Sequence, residues 1–188
     1  FQTDPSLPPP SATQTAAFET LWEWCLAHRT DPEQWADDEP PYNERLIEDC
    51  LVAWSGCVEW KTTVHFLRRL MQTAPHHCAL ALQWLGVACA GTSLPTPQDI
   101  AELLAIVRQH ETDPSPSTRF FAIFIVRQII PSIAGQKDEL DAVVSSINRA
   151  LTDPSSMVKT MALEALCGVT KRSLLFEPLK ASAVQYRD

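Results

Sequence analysis

The sequence predicts an all-α fold of about eight to nine helices, and three observations predict it. Apolar residues recur at helical spacing through most of the chain. Pro, Gly and Asp-Pro breaks divide it into segments of helix length. A Thr-Asp-Pro-Ser tetrapeptide at Thr112–Ser115 returns 40 residues later at Thr152–Ser155. A period of that size marks a solenoid, in which a helix pair leaves an apolar face that only its neighbours cover.

Residues 1–12 carry four prolines and little to bury, so they read as an extended arm or linker, with the helical domain spanning 13–188. The first helix, Thr13 to His28, turns Phe18, Leu21, Trp22, Cys25 and Leu26 to one side, and Thr30-Asp31-Pro32 ends it. The acidic stretch Trp35–Tyr42 with Pro40-Pro41 is a loop. A second helix follows from Asn43 to Cys57, with Leu46, Ile47, Cys50, Leu51 and Trp54 inward. The third, Glu59 to Thr73, buries Val64, Leu67, Leu70 and Met71, shows Lys61, Arg68 and Arg69 to water, and stops at Ala74-Pro75. The fourth, His76 to Ala90, is apolar on nearly every side, as a helix enclosed by neighbours must be.

Thr96-Pro97-Gln98-Asp99 is an N-cap with Pro at the first helical position, opening a fifth helix to Glu111. The sixth, Ser117 to Ile130, is so rich in aromatic and β-branched residues that a buried strand competes, but its length favours helix. After Pro131 and Gly135 comes a seventh, Lys137 to Leu151, then an eighth, Ser155 to Thr170. A last amphipathic piece, Leu174 to Tyr186, reads as the opening half of another pair.

At 188 residues the chain is long enough for one ordinary core. Its six cysteines lie inside apolar helical runs rather than at staple-like spacings, which predicts free buried thiols and an intracellular protein, cytoplasmic or nuclear. Cys25-x-x-His28 and His76-His77-Cys78 lack the paired spacing of a zinc site, so no metal or cofactor is expected. The formal charge of −8 disfavours a phosphate backbone, and Arg68, Arg69, Gln83, Arg108 and Arg127 interrupt the apolar runs before they reach membrane-spanning length. The chain begins at Phe1, as a piece of a longer solenoid would.

The helices that follow the repeated turn align: Ala122–Val126 with Ala162–Leu166, and Ala81–Leu85 one period upstream. Asp153, Val158, Lys159 and Ala162-Leu163 meet every term of a pattern in which an Asp in the turn precedes a Val and a basic residue, then an Ala-rich apolar face. Asp113 and Arg119 keep the spacing, with Thr118 in place of Val; upstream, Ala74 and Cys78 replace the Asp and the base. In these residues the chain resembles the HEAT-repeat, armadillo-like family over about 97–172 and more weakly over 43–91. The resemblance implies a right-handed superhelix of antiparallel helix pairs. It also implies that Asp113, Arg119, Asp153 and Lys159 form a structural ladder between adjacent turns, on which Asp153→Ala costs about 1 kcal/mol.

A non-enzymatic scaffold or complex subunit that binds a partner protein on the solenoid surface is the expected function. A nucleic-acid-binding helical repeat is the alternative, and it needs Arg68, Arg69, Arg119, Arg127, Lys159, Lys171 and Arg172 on one face. The sequence holds no Ser/His/Asp arrangement, phosphate-cradling loop or metal signature, and His65 among apolar neighbours reads as a core residue. Trp22, Trp54 and Trp84 fall on apolar faces; Trp24, Trp35 and Trp60 lie off them, where they anchor a partner or hold the acidic loop against the first pair. At the repeat positions of Phe120 and Phe124 the other copies carry Ala79 and Thr160, and Gln83 and Glu164. By that equivalence Phe120, Phe124 and Arg127 form an exposed aromatic and basic stripe, a candidate partner site, unless another segment covers it. Far-UV circular dichroism is expected to show a helical spectrum; substantial strand content would end the all-α reading.

Overall fold

A computed structural model describes residues 12–29, 42–55, 60–91, 96–133, 137–169 and residue 180. Among them are eight α-helices and no strand: α1 (Ala12–His28), α2 (Tyr42–Ser55), α3 (Trp60–Thr73), α4 (Cys78–Gly91), α5 (Pro97–His110), α6 (Pro116–Ile129), α7 (Lys137–Leu151) and α8 (Ser156–Cys167). The arm before Ala12, the acidic loop with Trp35 and, apart from Lys180, the final amphipathic piece lie outside the described residues.

Local chemistry sets the boundaries. Thr96 caps α5 reciprocally: its hydroxyl accepts the Asp99 N–H at 3.3 Å, while the Asp99 carboxylate accepts the Thr96 N–H at 2.9 Å. At α6 the Ser115 hydroxyl accepts the Thr118 N–H at 3.4 Å and Pro116 takes the first helical position. The two copies of the repeated turn are built alike. Asp113 Oδ1 accepts the Ser115 N–H at 2.9 Å, and Asp153 Oδ1 accepts the Ser155 N–H at 2.8 Å. Ahead of α4 the chain makes one 3-10 turn, Pro75–His77, so α4 begins two residues later than its apolar run suggests.

The even-numbered helices form a row in which α4 packs on α2 and α6, and α6 on α8; α3, α5 and α7 pack against that row, with α5 also touching α7. The aligned second helices thus lie side by side, as the repeat requires. Every residue of α4 from Cys78 to Cys89 is buried. Phe18 and Trp22 of α1 stack on Trp84, with ring centroids 4.7 and 6.0 Å away, and Trp54 of α2 meets the same indole edge-on at 6.3 Å. Enclosure on several sides also explains α6. Its β-branched and aromatic residues are buried between α4, α5, α7 and α8, so packing overrides their strand propensity.

Two inward assignments do not hold. Leu46 is 37% exposed while Ile47 and Leu51 are fully buried, because the contact face of α2 lies one position along from the one its composition suggests. His65 is exposed on α3, whose buried face runs through Thr63, Val64, Leu67 and Met71.

Gly86 leaves room for the Phe124 ring in the α4/α6 contact. A Cβ there would meet the Phe124 ring, at 2.6 Å from Cε1 and closer still to Cδ1. Gly86→Ala gains about 1 kcal/mol of helix propensity but forces the ring aside, an overpacking cost of about 1–3 kcal/mol. A net loss in urea denaturation is expected, reduced when Phe124→Leu is combined with it. A loss unchanged in the double variant would show that the two side chains do not collide.

Candidate functional site

The repeated turn is where residues far apart in sequence meet. Arg119, on the first turn and a half of α6, reaches the turn before α8: its Nε donates to Asp153 Oδ2 at 2.7 Å and its Nη2 to Asp153 Oδ1 at 2.9 Å. Its Nη1 donates back to the carbonyls of Asp113 and Pro114, at 2.7 and 3.1 Å. The two side chains are only 11% and 8% exposed, so this is a nearly buried, two-pronged ion pair joining units 34 residues apart. Burial alone would raise the Asp153 pKa. The hydrogen bonds from Arg119 and the Ser155 N–H, with the charges of Arg119 and Lys159, outweigh it and hold the carboxyl below its ordinary value.

Of the four ladder residues, then, Arg119 and Asp153 meet directly. Lys159 is exposed and adds charge near Asp153. The Asp113 side chain serves its own turn, and only its carbonyl touches Arg119; the upstream copy carries Cys78 where a basic residue would stand and so offers Asp113 no base.

Three further contacts repeat the same spacing. Arg68 of α3 pairs with Glu102 of α5. Glu111, at the end of α5, accepts from Ser146 of α7 at 2.8 Å and pairs with Arg149 at 3.2 Å. Arg127 of α6 pairs with Glu164 of α8 at 3.0 Å. None was singled out as a pair from sequence, although each joins residues about one period apart.

The aromatic stripe is not a surface. Phe120 is buried at 7% exposure, Phe124 is half-buried over Gly86, and only Arg127 is exposed. Equivalence between copies misleads here because Ala79 and Gln83, the supposed solvent positions of α4, are themselves buried. Of the other partner candidates, Trp60 is half-buried against the core, as is Trp24, and Trp35 lies outside the described residues. Glu139, in the first turn of α7, was missed: it is 4% exposed, and neither carboxylate oxygen has a hydrogen-bond partner among the described residues.

The cysteine and histidine clusters are engaged elsewhere. The Nδ1–H of His28 donates to the Trp24 carbonyl at 2.8 Å, and Cys78 Sγ faces the Met71 carbonyl at 3.9 Å. Burial, with Asp113 adding to it, raises the Cys78 pKa, and burial pushes Cys89 up to about 12, leaving both as thiols rather than nucleophilic thiolates. Among the described residues no group of three or more His, Cys, Asp or Glu is placed to hold a metal ion. No helix among them is long and apolar enough to cross a membrane. No protein-family model, curated protein or solved structure matches the chain.

Breaking the nearly buried pair leaves a charge without its partner, so Arg119→Met or Asp153→Leu alone should cost about 3 kcal/mol, more than a capping bond. The double change should recover part of it, as a thermodynamic cycle from urea denaturation would read. A single-variant loss below about 1 kcal/mol, the value of an exposed pair, would remove the pair from the supports of the fold.

Acid should destabilise in two stages. Burial, with the charges of His76 and Arg29, lowers the His77 pKa; burial lowers that of His110 against the pull of Asp113. The unfolded chain therefore binds protons first, and stability held above about pH 6.5 declines as pH falls toward the folded values. Asp153, also lowered, adds a second loss beginning near its ordinary value of 3.8. His77→Gln combined with His110→Gln should flatten the melting temperature between about pH 7 and 5; an equal slope in the variant would assign the first stage to other groups.

Proposed function

We propose that the chain is a non-enzymatic protein-binding scaffold or complex subunit built from stacked HEAT-like helix pairs. The observation that supports this most is the row α4, α6, α8, tied across successive units by the Arg119–Asp153 pair. Helices stacked in this way present a long surface whose side chains are free to vary without loss of the core, which suits binding to another protein. The partner surface in this proposal is the exposed seam of α6 and α8: Arg127, Glu164 and the uncovered edge of Phe124. Phe120 is buried in the core and is not part of it. An arginine beside an aromatic edge has the composition of an interface anchor.

Arg127 and Glu164 are 42% and 47% exposed, so Arg127→Glu should change stability by less than about 1 kcal/mol. Tagged chain, wild type and Arg127→Glu, is to be recovered from cells and its co-purifying proteins identified by mass spectrometry. A protein retained at stoichiometric amounts by the wild type and lost from an equally folded variant is the expected result. Retention by both moves the partner to another surface. Nucleic acid in place of protein, bound with a steep salt dependence, would replace the proposal with the nucleic-acid-binding alternative.

A further inference from the structure

We draw no further inference here: the strongest candidate, the outward face of α8 around Thr160, Leu163 and Cys167, continues the row of even-numbered helices, but nothing in the structure shows what covers it.

Discussion

A single helix with no free side constrains everything around it. From Cys78 to Cys89 α4 offers water nothing, so each of its neighbours must bring an apolar face of its own. The aromatic rings of α1 and α2 close over Trp84, α3 supplies Leu67 and Met71, and α6 supplies Phe124. At about 1.5–3 kcal/mol for each large apolar side chain removed from water, this enclosure outweighs any single polar contact in the molecule. Gly86 is the local concession it requires. A side chain there would hold α6 away, and the buried area between the two helices would shrink.

The polar contacts do something different: they set which residues of one unit face which residues of the next. Arg68 to Glu102, Glu111 to Ser146, Arg119 to Asp153 and Arg127 to Glu164 all join residues about one repeat apart. Their energies differ with their exposure. Arg119 and Asp153 are almost dry and hydrogen-bonded on both prongs, so losing either leaves a desolvated charge. Arg127 and Glu164 are nearly half exposed, and water replaces either partner at little cost. The first pair therefore belongs to the fold, and the second is free to serve a surface.

Glu139 stands apart from this order. It occupies the place that Asp99 holds one period earlier, yet Asp99 is tied to the Thr96 backbone and hydroxyl, whereas the buried Glu139 oxygens have no partner among the described residues. Equivalent positions in a repeat inherit a backbone, and their side chains meet whatever the local neighbours provide.

The same distinction separates what this sequence determined alone from what needed the third dimension. The eight helices among the described residues were legible to within a few residues because their signals are local: Thr96 and Ser115 cap through residues three positions away, prolines interrupt the amide ladder, and the matching turns at Asp113 and Asp153 close on Ser115 and Ser155. The side-by-side row followed from the 40-residue period, since a repeated apolar face has only its own copies to pack on. The fates of individual side chains were not legible. Leu46 turned outward, Gln83 inward, and Phe120 passed from expected surface to core, because burial depends on which helices arrive from elsewhere in the chain. For Arg119 the residue type and spacing were visible, but its partner lies 34 residues away, and only the packing of α6 against α8 brings that carboxylate within 2.7 Å.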